Sequence, residues 1–270
     1  MPRGTRKNKN NLQQKINEAI DKKLDHEIEM KYGVKDDSDK ILSRRIASGN
    51  VAGLPNFFRM MPNIHQSGSG SVPAGTPSVG QYNQRIGNEI ILKKLKIHGY
   101  IGYNASSTTA IDFENAKLAV RVMILRAKNI SDVQQLFTQM PTDTLLRFGT
   151  DTNNGVSGYE GFTMDSWREI NRNTFAVRYD KVHYLNAPVV LAGTSQPDLM
   201  GVPSGLKIIK EELTFGKNGL KLKFEDNSDV QPNNMPYFLV IGYTSMSSSN
   251  VPDNNLVRAS FNFVSEYTDA

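Results

Sequence analysis

The sequence contains no cysteine, and this absence excludes disulfide bonds, thiolate metal sites and a cysteine nucleophile together. Its four histidines, His26, His65, His98 and His183, lie in separate segments without metal-ligand spacing, and we interpret them as surface or interface imidazoles. No apolar run approaches the roughly 18 residues of a membrane span, and the first residues lack the apolar core of a secretion signal. We therefore expect no cofactor, no metal and no membrane insertion.

The motifs of common enzyme classes are also missing. The chain has no glycine-rich phosphate loop ending in Lys-Ser/Thr, no His-Glu-x-x-His and no Gly-x-Ser-x-Gly. Asp112 and Glu114 could place two carboxylates on one face of a strand, as glycoside hydrolysis requires, but sugar-stacking aromatic residues are not grouped near them. Residues 151–155 resemble a calcium loop without its closing glutamate, so we interpret them as a turn. We predict that the protein is not an enzyme and has no catalytic residues.

Positive charge is concentrated at the N-terminus. Residues 1–35 hold nine Lys and Arg against five Asp and Glu, a balance of +4, whereas the other residues hold 23 against 22, a balance of +1. Residues 1–10 contain no acidic residue, and their polar composition is typical of a disordered arm. Such an arm suits the neutralisation of phosphates without readout of bases. A nuclear-import signal and a solvated terminus without function are the alternatives.

The predicted nucleic-acid-binding residues are the cations of this arm and those that follow it, Arg3, Arg6, Lys7, Lys9, Lys15, Lys22 and Lys23. The last three belong to residues 11–32, which we predict to form an amphipathic helix. Its apolar stripe recurs about every four positions, at Leu12, Ile16, Ile20, Leu24 and Ile28. The helix could dock on its own domain, pair with copies of itself or line an assembled interior, or form transiently.

Residues 33–84 are interpreted as a linker or extended segment. Their composition is polar, and the run 67–77 is rich in Gly, Ser and Pro, which favours an extended or mobile connector. Residues 54–61 interrupt this composition with an apolar cluster flanked by proline. We expect that cluster to pack either on its own domain or on a neighbouring copy.

Residues 85–270 are predicted to form one all-β domain, an eight-stranded antiparallel jelly roll, because many strand patterns occur without βα alternation. The sequence shows no fixed-period repeat, which argues against a propeller or solenoid. Between the strands, residues 128–173 form a long insertion with short helices near 132–137 and 142–148. Within it, Trp167 is either an interface anchor or part of the core. The predicted strands are 89–103, 117–126, 174–185, 206–215, 219–225, 236–244 and 256–267, with a hairpin turn at 216–219.

Four stretches, taken in order, resemble the capsid proteins of circular, Rep-encoding single-stranded DNA viruses, the circovirus-like assemblage. These stretches are 85–99, 118–125, 175–180 and 257–263. The helix after the arm is similar instead to the arm helices of small satellite RNA virus coat proteins. The resemblance implies a T=1 icosahedral shell of about sixty copies. It further implies a place in the virion and an inward arm on the viral genome, for which single-stranded DNA is favoured over RNA while both stay open. It also allows assembly in the host nucleus.

The total charge limits what the arm can do. At +5 per chain, about sixty copies supply about 300 positive charges, against one negative charge per nucleotide. A genome of more than about a thousand nucleotides would then need counterions or other proteins as well. The alternative interpretation from another class is a cellular β-sandwich module that binds carbohydrate or histones.

Overall fold

The structure is a computed structural model, which describes residues 15–16, 29–46, 56–67, 83–104, 113–128, 142–150, 153–187, 205–235 and 237–270. Within these ranges the chain is built mainly from antiparallel strands. In chain order the strands are β1 (Lys31–Leu42), β2 (Phe57–Arg59), β3 (Glu89–Tyr103), β4 (Lys117–Ala127), β5 (Leu146–Thr150), β6 (Asn153–Ser157), β7 (Phe175–Asn186), β8 (Leu206–Thr214), β9 (Leu220–Lys223), β10 (Tyr237–Ser245) and β11 (Val257–Asp269).

Two sheets face each other. One has the order β1-β11-β3-β8, with β9 pairing the first part of β3, and the other has the order β2-β10-β4-β7. The pairs are nested: β1 with β11, β2 with β10, β3 with β8 and β9, and β4 with β7, all antiparallel. A long antiparallel hairpin gives this nesting when it rolls up into two sheets, which is the jelly roll. The prediction of an eight-stranded jelly roll is confirmed, with β8 and β9 sharing one position and β5-β6 forming a separate hairpin.

The main core lies between the sheets and comes from alternate residues of each strand. On β3, Leu95, Ile97 and Ile101 are buried, while Lys94 and Lys96 occupy the opposite face. This alternation is the predicted one, and all seven predicted strands occur close to their predicted bounds. The predicted turn also occurs, since Gly216 and Gly219 both have a positive φ, which glycine adopts without steric cost.

A second apolar cluster covers the outer face of the four-stranded sheet. Residues 142–150 and 153–174, the described part of the insertion between β4 and β7, lie over this face. As a result β4 and β10 are buried on both sides, which accounts for their nearly continuous apolar sequences. The cluster includes Met123, Leu125, Leu146, Tyr159, Ile170, Phe175, Phe238 and Val240.

The jelly roll begins earlier in the chain than the predicted boundary at residue 85. β1 pairs with β11 along most of its length, and β2 pairs with β10, so two strands occupy the segment predicted as a linker. The apolar cluster at 54–61 packs on its own domain, where Phe58 and Met60 are fully buried. β1 lacked a clear strand signal because its inward positions include Lys35 and Asp37 rather than apolar residues.

The predicted helices differ in outcome. Of the helix predicted at 11–32, Lys15 and Ile16 are helical and exposed, and residues 11–14 and 17–28 lie outside the described residues. The last part of that prediction is wrong, because residues 29–30 are not helical and Lys31 and Tyr32 belong to β1. The short helix predicted at 142–148 is wrong, because a single 3-10 turn at Thr142–Thr144 leads into β5, which pairs with β6. The short helix predicted near 132–137 lies outside the described residues.

A buried arginine links two loops at one end of the sandwich. Arg85 is fully buried, and its guanidinium donates to the carbonyl oxygens of Gly87, Asp226 and Asp229 at 2.5, 2.9 and 2.9 Å. It also lies 4.1 Å from the centre of the Phe224 ring. These contacts join the segment before β3 to the loop between β9 and β10, and burial lowers the pKa of Arg85.

Candidate subunit-contact surface

Three large apolar side chains project from the insertion into solvent. Phe162, Met164 and Trp167 are 52%, 58% and 54% exposed, and we call them the contact platform. Met164 lies within a short 3-10 turn at Thr163–Ser166, and Phe162 and Trp167 flank that turn. A single exposed apolar residue is ordinary, but several together on one turn are typical of a binding surface. Of the two alternatives for Trp167, core packing is wrong, because more than half of its side chain is exposed.

The turn is held by a carboxylate beneath it. Asp165 is fully buried, and its Oδ2 accepts hydrogen bonds from the backbone N–H groups of Glu160, Gly161 and Phe162 at 2.9, 3.0 and 3.1 Å. Its Oδ1 accepts a hydrogen bond from Nη1 of Arg168 at 2.7 Å. Four donors on one buried carboxylate stabilise its charge and fix the backbone that carries the contact platform.

An arginine of β4 connects the same turn to the sheet through hydrogen bonds. Nε and Nη2 of Arg121 donate to the two oxygens of Asp180, each at 2.7 Å. Its Nη1 donates to the carbonyl oxygens of Asp165 and Arg168 at 2.8 and 2.7 Å. The Arg121 side chain is only 4% exposed, whereas that of Asp180 is 30% exposed, so the guanidinium side of this bidentate pair is shielded from water. In the sequence, Arg121 is recognisable as a single charged residue within the apolar run of β4.

Hydroxyl groups complete the attachment. Oγ of Ser166 lies 2.8 Å from Oγ1 of Thr244 and 3.3 Å from the hydroxyl of Tyr159, and Oγ1 of Thr163 donates to the carbonyl oxygen of Ser245 at 3.1 Å. Tyr159 is fully buried, and this burial raises the pKa of its hydroxyl. The contact platform therefore rests on a base with many fixed polar contacts. A surface that is ordered before binding loses less conformational entropy when a partner docks.

The residues predicted to bind nucleic acid are not brought together in the described part of the chain. Arg3, Arg6, Lys7, Lys9, Lys22 and Lys23 lie outside the described residues, so their role stays a prediction. Lys15 is described, and it is helical and exposed.

Of the groups considered for catalysis or metal binding, the structure describes Glu114, His65, His98 and His183, while His26 lies outside the described residues. Glu114 accepts a hydrogen bond from Asn250 at 3.1 Å, and Asp112 lies outside the described residues. His98 lies on β3 and His183 on β7, where burial and then Lys181 lower the pKa of His183. Across the described ranges, no group of three or more acidic and histidine side chains is placed to hold a metal ion. No helix in these ranges has the length and hydropathy of a membrane span.

Comparisons with known proteins do not identify a family for this chain. No protein-family model matches the sequence, and no curated protein matches it. Solved structures with some similarity include Merkel cell polyomavirus VP1 in complex with 3'-sialyllactosamine and the same protein as an unassembled pentamer, at 9% and 10% identity. Each alignment covers 88% of this chain and 94% of the other, with a TM-score of 0.16. A TM-score this low does not establish a common fold, so the jelly roll rests on the strand order. That architecture occurs in viral capsid proteins, and also in lectin domains and cupins.

Proposed function

We propose that this chain is a non-enzymatic structural subunit of a viral capsid, which assembles with copies of itself into a closed icosahedral shell. The observation that carries the proposal is the contact platform, three apolar side chains held in solvent by a buried polar base. Tryptophan and other large apolar side chains at fixed positions commonly supply most of the binding energy of a protein interface. A jelly roll that presents such a surface is suited to tiling with its own copies.

The charge distribution supports a nucleic-acid cargo. The excess positive charge of the chain lies in its first residues, whereas the rest of the chain is almost neutral. A basic arm on a neutral body can hold a polyanion without sequence readout. Together with the resemblance to circovirus-like capsid proteins, this favours a single-stranded DNA genome, about sixty copies per shell and a place in the virion.

Electron microscopy of the purified protein tests assembly. We expect uniform closed particles at neutral pH and moderate salt, and their subunit number follows from the particle mass in light scattering. Monomers at every protein and salt concentration would contradict the capsid proposal and favour the cellular binding module.

Deleting residues 1–10 tests the role of the arm. We expect the variant to form shells of normal size that lack nucleic acid, because the deletion removes the four cations of the arm. The ratio of absorbance at 260 and 280 nm in purified particles measures their nucleic-acid content. A control variant with the same ten residues in shuffled order should still package, since phosphate contacts carry no sequence information. Full nucleic-acid content in the deletion variant would exclude the arm as the packaging element.

One observation bears on the carbohydrate-binding alternative. An open cleft beside the β5-β6 hairpin is lined by Arg147, Phe148, Asn154 and Asn171, a set of amide and aromatic groups that sugars can use. However, the guanidinium of Arg168 lies 4.8 Å from the centre of the Phe148 ring and covers one face of it. Asn171 is occupied too, since its amide donates to the carbonyl oxygen of Thr144 and to Oγ1 of Thr174. The cleft is therefore weaker support for carbohydrate binding than the contact platform is for self-assembly.

A further inference from the structure

A second group of exposed apolar side chains lies on the outer face of the sheet β1-β11-β3-β8. Ile41 of β1 pairs with Arg258 of β11, and Leu206 of β8 lies in the same row across β3. In the next row on this face, Ile208 of β8 pairs with Tyr100 of β3. Ile41, Leu206 and Ile208 are 45%, 46% and 67% exposed. We call these five residues the sheet patch.

Arg258 is the charged residue of the sheet patch. Its Nε atom is buried and has no hydrogen-bond partner in the described part of the chain. A buried donor without an acceptor carries a desolvation cost, and an acceptor supplied by a partner would remove that cost. Large apolar side chains around an arginine are also the composition that protein interfaces favour. The sheet patch therefore has the properties of a surface that is completed by another chain.

The sheet patch and the contact platform lie at the same end of the sandwich but on opposite faces. β1 ends beside the sheet patch, and shortly after it Ile46 pairs with Tyr159 of the insertion. The turn of the contact platform is attached at the end of β10, where Thr163 donates to the carbonyl oxygen of Ser245. The chain leads from there to the start of β11, which carries part of the sheet patch. One surface belongs to the outer side of the sheet β2-β10-β4-β7, and the other to the outer side of the facing sheet.

Two different surfaces on opposite faces suit a head-to-tail contact. A surface that binds its own counterpart joins only two copies, whereas a contact between two different surfaces repeats from copy to copy and can close into a ring. An icosahedral shell needs contacts of the second kind, because its threefold and fivefold axes relate more than two copies. Stacking neighbouring copies around such an axis brings one face of each chain against the opposite face of the next.

We propose that the contact platform of one chain docks on the sheet patch of a second copy in a head-to-tail contact. This inference rests on the proposed function and names the two surfaces that meet in the shell. The apolar side chains of the contact platform cover Leu206 and Ile208, and the carboxylate of Glu169 accepts hydrogen bonds from Arg258. A charge-assisted pair with a carboxylate supplies the acceptor that the guanidinium lacks in the single chain.

Charge complementarity favours Glu169 as the partner of Arg258. Glu169 is exposed and lies two residues after Trp167, and its carbonyl oxygen accepts a hydrogen bond from the N–H of Arg147 at 2.8 Å. The other acidic residues of this region are already engaged. Asp165 is buried beneath the turn with its four donors, and Glu160 accepts from Nε of Arg45 at 2.6 Å.

Ile208→Asp tests the sheet patch without disturbing the core, because two thirds of the Ile208 side chain is exposed. We expect the lowest protein concentration at which shells form to rise by about tenfold or more, because an unpaired carboxylate would lie in an apolar contact. Light scattering measures this concentration, and the unfolding temperature should stay that of the natural chain. Lys210→Ala, which shortens an exposed side chain on the same face of β8 outside the sheet patch, should assemble like the natural chain.

Charge reversal identifies which surfaces meet. Arg258→Glu and Glu169→Arg should each fail to assemble alone at the concentration that suffices for the natural chain, because each places like charges opposite each other. An equimolar mixture of the two variants should assemble again, since the contact platform of either variant finds the opposite charge on the sheet patch of the other. A chain that carries both changes should also assemble. If contact platforms bound only each other, Arg258 would have no part and the mixture would behave like its components.

The outcomes separate this inference from the proposed function. If the natural chain forms shells, any of three results overturns the head-to-tail contact: normal assembly of Ile208→Asp, normal assembly of either charge variant alone, or no recovery in the mixture of folded variants. Thermal unfolding shows whether each variant is folded, and Ile208→Asp alone decides if Arg258→Glu is not. Monomers of the natural chain under every condition would contradict the proposed function itself.

Discussion

Replacing both Trp167 and Met164 with alanine is expected to raise the lowest protein concentration at which shells form by about 30-fold or more. An interface tryptophan commonly contributes about 2 kcal/mol or more to a contact, which corresponds to about 30-fold in affinity. Both side chains are more than half exposed in the single chain, so their removal leaves no cavity in the core. The double variant should therefore unfold at the same temperature as the natural chain while failing to assemble.

Light scattering against protein concentration measures this threshold, and thermal unfolding below the threshold checks the fold. Ile86→Ala is a suitable control, because Ile86 is 70% exposed and lies outside the contact platform. That variant should assemble at the concentration of the natural chain. An unchanged threshold in the double variant would show that the contact platform is not part of the interface. A lower unfolding temperature would show that Trp167 and Met164 support the fold instead.

The strands of the main core could be predicted because their periodicity reports their burial. Leu95, Ile97 and Ile101 alternate with charged residues on β3, and such a pattern fits a strand with one face in water. β1 shows no such pattern, because its inward positions include the charged residues Lys35 and Asp37 at the edge of the sandwich, while the apolar Tyr32 and Val34 lie on its outer face. Local patterns do not distinguish such an edge strand from a linker, because only its pairing with β11 makes it a strand.

The contact platform could be predicted only in part. Trp167 was identified as a candidate anchor, but nothing in its neighbourhood showed that it would be exposed rather than buried. Its position depends on Asp165, and the donors to that carboxylate include Arg168 and backbone groups of an irregular loop. Contacts of this kind leave no periodic pattern in the sequence. Arg121, a charge within a strand buried on both faces, was the one visible sign that a buried polar partner lay above the sheet.

Substitution of Asp165 with alanine is expected to lower the free energy of unfolding by about 3–5 kcal/mol, because it breaks a buried ion pair and leaves its partners uncompensated. Arg168 loses its carboxylate partner, and the N–H groups of Glu160, Gly161 and Phe162 lose their common acceptor. Urea unfolding measures the change, and an unchanged slope with denaturant concentration would show that stability alone has altered. Asp180→Asn provides the comparison. Since the Asp180 side chain is 30% exposed and an amide oxygen can still accept from Arg121, that variant should lose less stability.

The same variant links the buried base to assembly. In Asp165→Ala the turn at Thr163–Ser166 loses the acceptor that fixes its start, so Phe162 and Met164 should no longer hold their positions. Assembly should then fail at temperatures where the chain is still folded, and proteolysis within residues 158–168 should become faster. If the folded variant still formed shells at the concentration at which the natural chain forms them, the exposed side chains alone would suffice for assembly. The buried polar contacts beneath them would then have no part in it. Loss of assembly without faster cleavage would instead show that Asp165 does not order the turn.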